Sequence, residues 1–294
     1  MVKGTVKDYA VFGDDSGEYN TVHSACFSPE DKYVACAKSN GEIIIYNVET
    51  KTESFMIRNK ERRIPFTMIK WRGKTDSFNL NNVVGTVNSD GQIQHFHVAT
   101  GKCISSIQEE FGEESQLNAF DYSYNFAKQA VCGVHPSIRV YDLETSKRTH
   151  NLEGSHSVGD TGHTNRVFSV RFYPNDDNML VSGGWDNKIV FWDLRQEKPA
   201  HTLLNKMICG DSIDIKNGSM LSCSWQEKDP IQIHELQTYK AATSAHGEEG
   251  IPWDPIPNKK KKRRKQEDQK DSNSKATCLC TCRFDRNGKY YHLI

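Results

Sequence analysis

Several patterns in this 294-residue chain bring together residue types that can do chemistry. Gly73-Lys74-Thr75 has the ending of a phosphate-binding loop, in which glycine backbone and a lysine cradle phosphate. The earlier glycine that such a loop requires falls on Met68. Cys278, Cys280 and Cys282 alternate, so a strand would carry all three thiols on one face, whereas zinc sites use more widely spaced cysteine knuckles. Thiols on an inner strand beside a central channel are the expected reading. His95 and His97 flank Phe96 without a further ligand pattern. No H-E-x-x-H, G-x-S-x-G or paired-carboxylate motif occurs. The expectation is therefore no enzyme, no metal and no cofactor.

The strongest charge feature is Lys259, Lys260, Lys261, Lys262, Arg263, Arg264 and Lys265, inside a polar, aperiodic stretch at 253–276. Such a stretch cannot bury enough apolar surface to order itself, so it reads as a disordered insertion. Seven consecutive cations fit a nuclear-localisation signal, or contacts to phosphates or an acidic protein, and equally a solvated loop. No aromatic residue interleaves them, which argues against base stacking by the run itself. The 38 acidic residues outweigh the 31 basic ones left when these seven are set aside, so nucleic acid is unexpected except through this loop. The N-terminal sequence has no secretory pattern and no apolar run approaches a membrane span. An intracellular protein, nuclear or cytoplasmic, with its nine cysteines reduced is expected.

These candidates must be held by short strands. The sequence is rich in Val, Ile, Phe and Tyr runs punctuated by Asn-Gly, Asp-Gly and Pro-Asn turns, with no sustained helical period. It is also self-similar: residues 25–51, 69–102, 120–147, 170–196 and 212–238 align with one another. The aromatic at the end of one strand recurs at Tyr46, Phe96, Tyr141 and Trp192, with His234 in the fifth copy. The alternating residues of VRF, IVFW and IIIY are expected to supply the buried face of each strand.

The stretch 161–195, with Gly162-His163 followed after 28 residues by Trp192-Asp193, resembles a repeat of the WD40 family. The resemblance implies an all-β fold, a WD40-type β-propeller of stacked four-stranded blades. Five blades are expected near 22–58, 64–108, 117–154, 161–203 and 206–240, together making up residues 1–252. Residues 277–294 read as the first two strands of a further blade, as though truncated, with 4–12 able to supply a closing strand.

Within the matched repeat, the resemblance assigns His163, Ser182, Asp186 and Trp192 to a structural hydrogen-bonded set. Asp186 would accept from His163, and Ser182 would link the imidazole to the indole. Ser, His and Asp are also the ingredients of a hydrolase, but a strand-internal serine lacks the exposed elbow and oxyanion hole that catalysis needs. The other copies carry Asn40, Asp90 and His135 at the place of the turn acid. Residues 180–195 further resemble the WDxR box of propellers that dock on the adaptor of cullin-4 ubiquitin ligases, with Arg195 as the docking residue and Trp185 incidental. The functional expectation is a non-catalytic interaction scaffold for several proteins. A ligase substrate receptor and a structural part of a ciliary or other large assembly are the alternatives, and no membrane partner is expected.

Overall fold

The computed structural model describes residues 21–58, 63–73, 82–154, 162–225, 230–244, 281–284 and 290–293. The expected closing strand at 4–12 and the insertion at 253–276 lie outside the described residues. Those described are arranged as successive antiparallel meanders, forming a β-propeller. The first sheet comprises β1 (Val22–Phe27), β2 (Tyr33–Lys38), β3 (Glu42–Asn47) and β4 (Glu53–Arg58). The second holds β5 (Phe66–Trp71), β6 (Val83–Asn88), β7 (Gln92–His97) and β8 (Cys103–Gln108). The third holds β9 (Leu117–Tyr122), β10 (Lys128–Gly133), β11 (Ile138–Asp142) and β12 (Arg148–Leu152).

The fourth contains β13 (Val167–Tyr173), β14 (Asp176–Gly184), β15 (Lys188–Asp193) and β16 (Lys198–Leu204). The fifth contains β17 (Ile213–Lys216), β18 (Ser219–Cys223), β19 (Ile231–Glu235) and β20 (Ala241–Ser244). A two-stranded sheet of β21 (Thr281–Phe284) and β22 (Tyr290–Leu293) follows. The first strands pack side by side in chain order: β1 on β5, β5 on β9, β9 on β13, β13 on β17 and β17 on β21.

Turn chemistry sets these registers. Asn217-Gly218, between β17 and β18, has positive φ at both residues (51° and 75°), the pairing that a tight two-residue hairpin requires. Gly41 and Gly91, at φ 76° and 78°, do the same work in the turns before β3 and β7.

Packing departs from the expected alternation. In β3, Ile43, Ile44, Ile45 and Tyr46 are all buried, and in β15 Ile189, Val190, Phe191 and Trp192 are fully so. β15 has the third sheet against one face and the fifth against the other, so an apolar run, not a period of two, is what the fold demands there. The apolar clusters cross sheets accordingly. One joins Ile93, Leu117, Phe120, Val170, Leu180 and Trp192 from the second, third and fourth sheets.

Polar residues of the innermost strands tie each sheet to the next. His23 Nδ1 lies 2.9 Å from the Phe66 carbonyl, Thr67 Oγ1 donates to Leu117 O at 2.8 Å, and Asn118 Nδ2 donates to Val167 O at 2.9 Å. Three positions further along, Lys70, Asp121, Arg171 and Asp214 occupy equivalent places, judged by their partners Gly85, Ala130, Val181 and Leu221. Their signs alternate from sheet to sheet. Lys70 pairs with Asp121 at 2.5 Å, and the other Asp121 oxygen accepts from Phe172 N at 2.9 Å. Arg171 pairs with Asp211 at 2.6 Å. Alternating charge suits neighbours in sequence order and penalises a sheet packed out of order.

One expectation about the cysteines is corrected. Cys223 is disulfide-bonded, while Cys26, Cys36, Cys103, Cys132 and Cys209 are free.

Candidate functional site: buried polar locks and the face they support

The fourth sheet contains a closed polar chain. His163 precedes β13, Ser182 lies within β14, Asp186 sits in the turn before β15, and Trp192 is near the end of β15. His163 Nδ1 is 2.9 and 3.0 Å from the two Asp186 carboxylate oxygens, and Nε2 is 2.7 Å from Ser182 Oγ. Trp192 Nε1 donates to the same Oγ at 2.8 Å. An indole nitrogen only donates, so Ser182 Oγ accepts from Trp192, and the same hydroxyl is hydrogen-bonded to His163 Nε2. On its other side His163 Nδ1 donates to the Asp186 carboxylate. Asp186 also accepts from the Thr164 backbone N–H at 3.0 Å. Burial raises the pKa of this carboxyl, but the bonds from His163 and Thr164 outweigh it and hold it below the ordinary value.

This geometry forbids acyl transfer. Ser182 and Trp192 have no exposed surface, and both hydrogen-bonding roles of Ser182 are engaged internally. A nucleophile has to meet a substrate, and this hydroxyl meets only protein.

The third sheet is locked differently, through a buried Glu109–Arg139 pair that has no place in the repeat signature. Val131 and Tyr141 stand where Ser182 and Trp192 do, and the Tyr141 hydroxyl donates 2.5 Å to Glu109 Oε1. Arg139 Nε donates to Glu109 Oε2 at 3.1 Å, and its Nη1 donates to Ser137 O at 2.6 Å. Both charged side chains are fully buried, and the Phe111 ring lies 5.2 Å from the guanidinium. Burial, then the Glu109 carboxylate, raise the Tyr141 pKa. His135, at the turn-acid place, bonds locally to Ser137 Oγ at 2.8 Å and stacks on Phe111.

Elsewhere the set is reduced to pairs and turns. In the fifth sheet Ser222 Oγ faces His234 Nε2 at 3.3 Å, in place of the serine–indole bond. In the second, Asn88 Oδ1 accepts from the backbone of Asp90 and Gln92, closing the turn itself. Asn40 similarly bonds Glu42 in the first.

Two buried histidines make the fold acid-sensitive. Burial, and then the charge of Arg72, push His95 down to about 4, with Gln129 opposing. Burial and the charge of Lys206 bring His234 to about 4 as well. Both are neutral in the fold, so as pH falls from 6.5 towards 4 the unfolded chain gains protons first and stability is lost. We expect on the order of 2–3 kcal/mol per histidine between about pH 6.5 and pH 4. Urea unfolding across that range measures it, and His95→Gln with His234→Gln should flatten the dependence.

Arg195 lies in the turn between β15 and β16, with its side chain 61% exposed. Its fork is closed on Asp193, with Nε to Oδ1 at 2.8 Å and Nη2 to Oδ2 at 2.9 Å. The run Lys259–Lys265 lies outside the described residues. Among the described residues, no three His, Cys, Asp or Glu side chains are placed to hold a metal ion, and no helix is long and apolar enough to cross a membrane.

Comparison with known proteins agrees with this architecture. The family model described as "WD domain, G-beta repeat" matches residues 12–47 and 155–193. A protein named WD repeat-containing protein 89 homolog, from Dictyostelium discoideum, is 27% identical over 201 residues, covering 68% of this chain and 48% of its own length. Ribosome biogenesis protein YTM1 of Meyerozyma guilliermondii is 26% identical over 178 residues, covering 59% of this chain and 34% of itself. The guanine nucleotide-binding protein subunit beta of Oryza sativa subsp. japonica is 23% identical over 191 residues, 61% of this chain and 46% of its own. The matched region thus spans less than half the length of each of these relatives.

Proposed function

With WD40 repeats in its sequence and a propeller's succession of sheets in its fold, the chain is, we propose, a non-catalytic scaffold that binds other proteins. The observation that carries this reading is the engagement of Ser182, His163 and Asp186 with one another and with Trp192. The residue types capable of hydrolysis are used to hold a sheet in place. What remains for function is the surface of turns and connections that those locks position. Capture of the tagged protein, followed by mass spectrometry, should yield a reproducible set of protein partners. A wild-type chain that retains none above an untagged control would refute the scaffold.

We further propose that Lys259–Lys265 direct the protein to the nucleus. The run's seven cations support this, as does similarity to a protein named for ribosome biogenesis. Deleting 259–265 is expected to abolish nuclear accumulation, and an unchanged distribution would overturn the reading. The ligase-receptor alternative needs the Arg195 fork free to enter a partner. Its bidentate closure on Asp193 weighs against that role.

A further inference from the structure

The turn between β17 and β18 places a reactive pair where nothing restrains it. Asn217-Gly218 is the whole loop of this hairpin, joining the paired residues Lys216 and Ser219. Both loop residues are exposed, and a Cβ placed on Gly218 would meet nothing within 4 Å. Among the described residues, neither the Asn217 amide nor the Gly218 N–H has a hydrogen-bond partner. The bond that does reach the turn, from Leu236 N to Gly218 O at 3.0 Å, holds the next peptide plane.

Asn40-Gly41, between β2 and β3, has the same two residue types in a closed setting. Asn40 Oδ1 accepts from Glu42 N at 3.1 Å, and its Nδ2 donates to Glu42 Oε2 at 2.9 Å. Gly41 N donates to Lys38 O at 3.2 Å, and Gly41 lies against the Ile64 backbone. The third such pair, Asn287-Gly288, lies outside the described residues.

We propose that Asn217 is a site of spontaneous deamidation and isoaspartate formation in the folded protein, an inference independent of the scaffold reading. Gly218 N attacks Asn217 Cγ, and the new C–N bond closes a succinimide ring. The Cγ–Nδ2 bond breaks, and the side-chain nitrogen leaves as ammonia with the Gly218 amide proton. Water then opens either ring carbonyl, leaving aspartate or isoaspartate at 217. Ring closure requires Gly218 N to eclipse Asn217 Cβ, and an L residue does this at ψ of about −120°, the value at the first central residue of a type II′ turn. Positive φ at both Asn217 and Gly218 marks the native turn as type I′, which shares the positive φ of that first residue. Two-residue hairpins accept both types. One flip of the Asn217–Gly218 peptide plane, which the freedom of φ at glycine permits, therefore reaches the closing geometry with Lys216 and Ser219 still paired. That plane has no hydrogen bond to break among the described residues. At Asn40 the equivalent flip breaks the Gly41–Lys38 bond, and ring closure also strips both side-chain bonds to Glu42. Isoaspartate adds a methylene to the backbone of a turn that sets the register of β17 on β18.

The full chain, incubated at neutral pH without denaturant, tests this when each asparagine is followed by peptide mass spectrometry. Transfer of a labelled methyl group by an isoaspartate-specific methyltransferase is the second readout. Asn217 should convert at least about tenfold faster than Asn40, and the label should appear in the peptide containing 217. In urea the two rates should converge, because unfolding removes the contacts that distinguish the two turns. Asn217→Gly keeps a residue suited to positive φ, so it should retain the fold and remove the label from that peptide. Asn40 converting as fast as Asn217 in the native protein would place the reaction in the unfolded chain and overturn the proposal. So would an Asn217 that stays intact over the time in which the urea-unfolded chain is converted. Label persisting in that peptide of the Asn217→Gly variant would do the same, since it would come from another residue.

Discussion

Glu109→Ala is expected to destabilise the protein by about 3–5 kcal/mol, the cost of leaving one member of a buried ion pair uncompensated. Arg139 would keep its charge with no exposed side-chain surface, and the Tyr141 hydroxyl would lose its acceptor. Glu109→Gln should cost less, since an amide oxygen can still accept from Tyr141. The triple replacement Glu109→Leu, Arg139→Met, Tyr141→Phe should recover most of the loss, because removing a whole buried polar set is far cheaper than breaking it. Urea unfolding of the three variants gives the order directly. A Glu109→Ala variant within about 0.5 kcal/mol of wild type, the range of ordinary surface substitutions, would mean that the third sheet is not held by this pair.

Trp192→Ala should cost a similar 3–5 kcal/mol for a different reason. The indole is fully buried in the cluster joining the second, third and fourth sheets, so truncation opens a cavity that well-packed neighbours cannot fill. Trp192→Phe separates volume from hydrogen bonding. It retains most of the ring but removes the donor to Ser182, and about 1–2 kcal/mol is expected. If Phe proved as damaging as Ala, the hydrogen bond, not packing, would dominate at this position. Thermal and urea unfolding of the pair decide between the two.

How far the sequence reveals this molecule depends on how each feature is built. The sheets were legible because Asn-Gly and Asp-Gly turns and the returning aromatics at Tyr46, Phe96, Tyr141 and Trp192 are local signals. In the fourth sheet, the residues named from the family pattern do lie within hydrogen-bonding distance of one another. Glu109 was invisible: it lies 32 residues from Tyr141 and 30 from Arg139, and no repeat signature puts a carboxylate there. An Arg flanked by Ile and Val within a strand was the one available hint, since a buried guanidinium requires a partner. The alternating charges of Lys70, Asp121, Arg171 and Asp214 were equally hidden, because they emerge only when four strands are set side by side. The exposure of Trp185 was not legible either, because a repeat pattern describes what a blade needs for folding, whereas the neighbouring connection through Ile208 and Cys209 packs beside this turn.

Ser182, His163, Asp186 and Trp192 form a buried lock and not an accessible reaction centre. Hydrogen exchange of the Trp192 indole N–H, followed by NMR, reads this most directly. The N–H that donates to Ser182 should exchange only through global unfolding, with an opening free energy equal to that from urea denaturation. Exchange through a far smaller opening energy, with the rest of the fourth sheet still protected, would contradict the account. It would show that the set opens to solvent within the folded protein, as a catalytic serine must.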